Sequence, residues 1–184
     1  MRKELNKNRA YRLVTSGNLV LVTSSYKDRD NIITCSWQIP FSHSPSGLLI
    51  ALAKRHLSSE FVRKTQEFVI NIPDFSLIKE VIFCGTCSGR DYDKFKETNL
   101  TKEKAKVLVK TSRIKECIGV IECGLSDIKE AGDHYIFFSE PLYSEVEEGL
   151  FDFENFVWKE SADLIFHLGG EFFSCLGKVE KVIL

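Results

Sequence analysis

Three short polar stretches hold the groups of this sequence that could do chemistry: TCSW at 34–37, AKRHLSS at 53–59 and CSGRDYDKF at 87–95. A bound phosphoester needs backbone N–H groups, hydroxyls and one or two fixed cations. Ser88, Gly89, Arg90 and Lys94 offer all three on one loop, and Lys54 and Arg55 can add to them, so the set fits a phosphate clamp. It fits equally an ordinary solvated loop with a Ser-Gly turn and a capping lysine, because basic loop residues are common. Residue types and spacing leave both readings open.

The cysteines point less clearly to chemistry. Cys35, Cys84, Cys87, Cys117, Cys123 and Cys175 are spread along a chain whose opening, MRKELNKNRAYR, lacks the apolar run of an export signal, so reduced thiols and a cytoplasmic location are expected. Cys84 and Cys87 have C-x-x-C spacing. A zinc site with Cys117 and Cys123 is disfavoured, since those two fall in one strand-like stretch, on one face but well apart, and no metal is expected. A thioredoxin-like pair is also disfavoured, because that motif follows a strand and opens a helix, whereas here an apolar helical stretch precedes it.

The elements that must position these groups are mostly strands. NLVLVTSS at 18–25 and NIITCSW at 31–37 are rich in β-branched residues, and a polar turn separates them. QIPFSHSPSG, with two prolines and a glycine, is expected to break regular structure, and GLLIALA at 47–53 to form a core strand buried on both faces. LSSEFVRK at 57–64 predicts a helix with Ser58 or Ser59 as N-cap, followed by a strand, EFVINIP, ending at Pro73. FSLIKEVIFCG predicts a short helix between Ser76 as cap and Gly85 as stop. ECIGVIECGLSDIKEA and HYIFFSEPLYSEVEE flank AGD as a hairpin, and the remainder, FDFENFVW and LIFHLGGEFF, is aromatic.

The expected class is mainly β, an antiparallel barrel with appended helices. A parallel nucleotide-binding sheet is disfavoured, because no G-x-G-x-x-G opens a helix. The 184 residues fit a single domain over 1–184, and a net charge of −1 supplies no field for nucleic acid or an anionic membrane. No uncharged run is long enough to span a bilayer.

Taken in order, NIITCSW, GLLIALAKRHLSS, EFVINIP, CGTCSGRDYDKF, ECIGVIECGL, GDHYIFFSE and LIFHLGG resemble the flavin-reductase-like family of FMN-binding split barrels, its flavoredoxin branch in particular, over residues 14–170. The resemblance implies a six-stranded antiparallel Greek-key split β-barrel with short peripheral helices and non-covalent FMN. It implies that Thr34, Cys35, Ser36 and Trp37 line the isoalloxazine through backbone N–H and hydroxyl donors. Ala53, Lys54, Arg55, Ser58 and Ser59 fall where the family holds the ribityl chain and phosphate, and Ser88, Gly89, Arg90 and Lys94 on its second phosphate loop. His167 falls where the reductases have a histidine near the nicotinamide; Glu171 after Gly169 and Gly170 departs from their usual Gly-Arg-Tyr. His134 fits a turn-stabilising hydrogen bond. Among the aromatics Trp37, Phe41, Trp158 and Phe166, only Trp37 has motif support as a flavin contact.

The family also implies a homodimer, with segment 151–158 a source of contacts. Three activities follow: an NAD(P)H:FMN oxidoreductase, an electron carrier serving a small acceptor or redox partner protein without its own nicotinamide site, or a non-enzymatic FMN-binding module. A pyridoxal-phosphate oxidase on a related barrel is disfavoured, because its arginine pattern is not evident.

Overall fold

The computed structural model describes residues 17–180, so Val14 and the charged N-terminal stretch lie outside the described residues. β1 (Val20–Tyr26) and β2 (Arg29–Cys35) form a hairpin registered from Val20 opposite Cys35 to Tyr26 opposite Arg29. Its two turn residues, Lys27 and Asp28, both have positive φ, the geometry that matches a tight turn to the twist of the strands. β3 (Gln38–His43), β4 (Ser46–Ala53), helix α1 (Leu57–Thr65) and β5 (Glu67–Ile72) follow, then α2 (Ile78–Thr86) and the short α3 (Lys94–Glu97). β6 (Lys102–Glu103) pairs with β7 (Arg113–Ile114), and the long β8 (Gly119–Ala131) and β9 (His134–Val146) make the expected hairpin around Gly132 and Asp133. β10 (Phe151–Asp152) pairs with β11 (Val157–Trp158), and β12 (Phe166–Gly169) with β13 (Phe172–Ser174).

The main sheet is antiparallel, in the order β2-β1-β5-β8-β9-β4-β3. Its two edges, β2 and β3, are consecutive in the chain with only Ser36 and Trp37 between them. So short a link brings the edges together, and the sheet must roll into a barrel; the Ala51 N–H bonds the Trp37 carbonyl at 2.8 Å across the corner. The sheet has seven strands where six were expected. The additional one is β3, in the segment expected to be irregular. It survives its proline because it is an edge strand, and Pro40, opposite Leu48, sits beside the point where the register with β4 shifts.

Alternation along β1 and β2 builds two apolar layers. Val20, Val22, Ile33 and Cys35 face the barrel interior with Ile50, Leu52, Phe68 and Phe137, while Leu19, Leu21 and Ile32 pack against Val81 and Cys84 of α2 and Phe95 of α3. β4 is less uniformly buried than its apolar run suggests, since Leu48, Leu49 and Ala51 are only half-buried.

Both predicted helices form with different caps. α1 begins after His56, whose backbone is extended, and ends at Gln66 in the left-handed region. Ser58 and Ser59 lie inside its first turn, fully buried. The turn leading into α2 is capped by Asp74, which accepts from Ser76 N–H at 3.0 Å, so Ser76 is the capped residue; α2 also runs one residue past Gly85. Cys117 precedes β8 rather than lying in it, whereas Cys123 is within the strand.

The long segment between β6 and β7 is held by carboxylates instead of a ladder. Glu122, fully buried on β8, accepts from the N–H groups of Lys106, Val107 and Leu108 at 2.7–3.0 Å, and Glu67 accepts from those of Lys110 and Thr111 at 2.8 Å. The buried guanidinium of Arg113 sits among Glu103, Glu145 and Glu122. Among the described residues no helix is long and apolar enough to cross a membrane.

Candidate functional site

The second half of β2, the corner after it, the start of α1, the end of α2 and β12 converge on three adjoining hollows. A polar one of about 310 Å³ is lined by Asn31, Arg55, His56, Ser88, Gly89 and Lys94, with Cys84 and Cys87 on its α2 side. The second, of about 300 Å³, is bordered by Thr34, Ser36, Trp37, Ala53, His134 and His167. The third, about 490 Å³ and more apolar, lies against Val81, Ile82, Thr86, His167, Glu171 and Phe173. Ile33 and His56 border the first two, Gly85 and Thr86 the first and third, and Thr34, Ser36 and His167 the second and third. The three form one continuous cleft, polar at one end and apolar at the other.

At the polar end the cations have different tasks. Lys94 is almost completely buried, and its ammonium donates to the carbonyls of Ile32 at 2.7 Å and Cys84 at 2.6 Å, tying β2 to α2; burial holds its pKa below the usual lysine value. One N–H of that ammonium is left for the hollow. Arg55 is exposed at the rim and takes no hydrogen bond or ion pair among the described residues. Lys54 faces away, bonded to Glu130 at 2.8 Å and lying over the Tyr135 ring. Arg90 also leaves the hollow, pairing with Glu60 at 3.1 Å.

The small residues shape the wall. Ser59 Oγ donates to the Ala53 carbonyl and Ser58 Oγ accepts from Asn31 Nδ2, each at 2.8 Å, so both hydroxyls brace the junction of β4, α1 and β2. Ser88 Oγ accepts from Arg90 N–H, closing the loop on itself. Gly89 is buried against Asn31: a Cβ there would collide with the Asn31 amide, and its carbonyl accepts from Arg29.

At the corner, Thr34 Oγ1 donates to the Val81 carbonyl at 2.5 Å, and the Cys35 thiol turns into the core, where burial pushes its pKa up to about 12. The groups of residues 34–36 left facing the cleft are therefore main chain and the Ser36 side chain. The Trp37 ring stacks on His134 at 4.8 Å, and His134 Nδ1 lies 2.6 Å from Asp133 Oδ1 in the hairpin turn. His167 Nε2 is 2.9 Å from the Gly170 carbonyl, and its ring packs on Phe173. A carbonyl only accepts, so Nε2 carries a proton in this contact and Nδ1 is the other edge of the ring, turned away from Gly170. Phe41 is edge-on to Phe138, while Trp158 and Phe166 pack on the barrel core; none of the three borders the cleft.

Sequence reasoning passed over Asn31, His56, Gly85 and Thr86. His56 stands at the junction of two hollows with its Nδ1 buried and without a hydrogen-bond partner among the described residues, and burial followed by the charge of Arg55 lowers its pKa. Its position directly before a predicted helix start was the available signal.

Known proteins place this geometry in a family. An uncharacterized protein of Archaeoglobus fulgidus is 34% identical over 116 residues, covering 63% of this chain and 65% of that protein. A protein of Pyrococcus abyssi is 30% identical over 142 residues, covering 77% and 81%. Among solved structures, the flavoredoxin of Desulfovibrio vulgaris (Miyazaki F) superposes with a TM-score of 0.85 at 22% identity, over 99% of this chain and 97% of that one. An FMN-binding protein from Thermus thermophilus gives 0.85 at 17% identity over 100% and 98%. A sequence profile of the flavin reductase like domain matches residues 11–164. With that profile spanning most of the chain and split-barrel neighbours matching it end to end, the protein belongs to the flavin reductase-like family.

Proposed function

We propose that the protein is a single-domain cytoplasmic flavoprotein that binds FMN non-covalently and passes electrons from NAD(P)H or another donor to a small acceptor or a partner protein. The observation that carries this reading is the continuous cleft around β2, polar and cationic at one end and bordered by Trp37, His167 and Phe173 at the other, in a chain of this family. The residues fit the cofactor. Arg55, the remaining N–H of Lys94 and the N–H groups of Leu57 and Ser58, which have no main-chain partner among the described residues, suit a dianionic phosphate, and His56 Nδ1 supplies a further hydrogen-bonding atom at the junction.

FMN, when bound, supplies a ring that accepts hydride or electrons, so the chain needs no acid–base pair of its own. The chain holds and orients. Ser36 and the main chain of 34–37 offer donors to the polar edge of the ring, the Trp37–His134 stack walls one side, and His167 presents Nδ1 where a nicotinamide would be steadied. Thr34 contributes by fixing the corner to α2 through its hydroxyl rather than by donating that hydroxyl to the ring. Exposed Phe153, Phe156 and Val157 suit the contacts of a homodimer.

Glu171 at the apolar end favours a second reading, an electron carrier without a nicotinamide site, since a carboxylate there repels an anionic dinucleotide. Titrating the protein with FMN by absorbance and then adding NADH or NADPH without oxygen separates the readings. Saturable binding with rapid bleaching supports the reductase, saturable binding without bleaching the carrier, and absence of saturable binding rejects both.

A further inference from the structure

Cys84 and Cys87 remain outside the activity proposed above, yet both line the polar hollow. They sit one helical turn apart where α2 ends: Cys84 is within the helix, and Cys87, extended in backbone, keeps its N–H on the Phe83 carbonyl at 2.9 Å. Side chains three apart on a helix are about 5–6 Å apart at Cβ, so a modest closure brings them to the Cβ separation of about 3.5–4.5 Å that a disulfide needs. The last residue before Cys87 is the helix terminus, where such a closure meets little resistance.

The two thiols are unequal. Cys84 is 1% exposed in the layer between β2 and α2, while Cys87 is half-buried and reachable from the hollow. We propose that Cys84 and Cys87 are a redox-active dithiol, a site that exchanges with small disulfides, Cys87 attacking and Cys84 resolving.

The Cys87 thiolate attacks one sulfur of a small disulfide. The S–S bond breaks, a mixed disulfide forms on Cys87, and the other half leaves as a thiolate that takes up a proton. Cys84 then gives up its proton and attacks the Cys87 sulfur, releasing the second half as a thiol. The protein dithiol is oxidised by two electrons and the small disulfide is reduced to two thiols. A small dithiol reverses the sequence and resets the pair.

The surroundings set its poise. In thioredoxin-like proteins the C-x-x-C opens a helix, and the helix dipole stabilises the thiolate. Here the pair closes a helix, where the dipole has the opposite sign, and burial pushes the Cys84 thiol up to about 12. Less stabilisation of the reduced form favours the disulfide. The Lys94 ammonium, bound to the Cys84 carbonyl, is the cation on hand for the transient thiolate. The exchange needs no bound cofactor, so it stands or falls separately from the FMN reading.

The test equilibrates the full chain, without added FMN, against graded mixtures of reduced and oxidised glutathione or dithiothreitol, followed by acid quenching, thiol alkylation and peptide mass mapping. The expected result is a two-electron transition giving one Cys84–Cys87 disulfide, formed in glutathione disulfide and reversed by dithiothreitol. Cys87→Ser should abolish the disulfide, and Cys84→Ala should trap one glutathione on Cys87. If Cys84→Ala does not fold by circular dichroism, the wild-type map and Cys87→Ser decide alone. No 84–87 linkage at any ratio, or linkage of either thiol to Cys117 or between molecules, overturns the proposal.

Discussion

Lys94 offers the sharpest test of how this site is built. In the free protein its ammonium is a strut, giving two hydrogen bonds to the carbonyls of Ile32 and Cys84. Lys94→Met keeps most of the side-chain length and removes both bonds. Hydrogen bonds from a charged group contribute about 1.5–3 kcal/mol each. Removing the ammonium also relieves its burial, which offsets part of that gain, so the net loss should be about 3 kcal/mol. For a chain of this size that corresponds to a fall of about 6–12 °C in Tm. The assay is thermal unfolding by far-UV circular dichroism without FMN, followed by FMN titration at a temperature where the variant is folded. A Tm within about 2 °C of wild type, with FMN affinity lost, would refute the strut and make Lys94 a ligand cation first.

Other perturbations separate neighbouring residues. Arg55→Ala should weaken FMN binding by about tenfold or more, with a reduced dependence on salt and an unchanged Tm, whereas Lys54→Ala should leave affinity within about twofold, read by fluorescence titration. Gly89→Ala should displace the Asn31 amide that Ser58 accepts from, costing about 1–3 kcal/mol by urea unfolding and weakening FMN binding with it. Burial alone would raise the Glu122 carboxyl, but its three main-chain N–H donors and Arg113 outweigh that and hold it below the usual value. A depressed carboxyl contributes stability above its unfolded pKa of about 4.3 and loses it as pH falls through the folded value. The wild type should therefore lose Tm steeply below about pH 4, while Glu122→Gln should be less stable at pH 7 and flatter in acid.

Much of the architecture was legible because β1, β2 and the β8–β9 hairpin follow local rules: runs rich in β-branched residues, closed by short polar turns. β3 was not, since Pro40 signals a break unless the strand lies at an edge, and edge position is a property of the whole sheet. The three polar stretches meet in space, and all three border the cleft. What a list of residue types cannot give is side-chain direction. Lys54 and Arg55 are adjacent, yet one turns to Glu130 and the other to the rim. Ser58 and Ser59 have the chemistry of an N-cap, but the helix starts one residue before them and turns both inward. Asn31 became visible only when the fold closed around it.

The segment fastened by Glu122 and Glu67 carries one more implication. Those carboxylates grip main-chain N–H groups at 106–108 and 110–111, which every residue but proline possesses, and Val107 and Val109 point outward with exposures of 48% and 90%. The anchoring information thus resides in two acidic residues on the barrel, and the outward positions of the loop are free to drift or be rewritten. A recognition sequence or reporter grafted at those positions would inherit a fixed backbone path without disturbing the cleft.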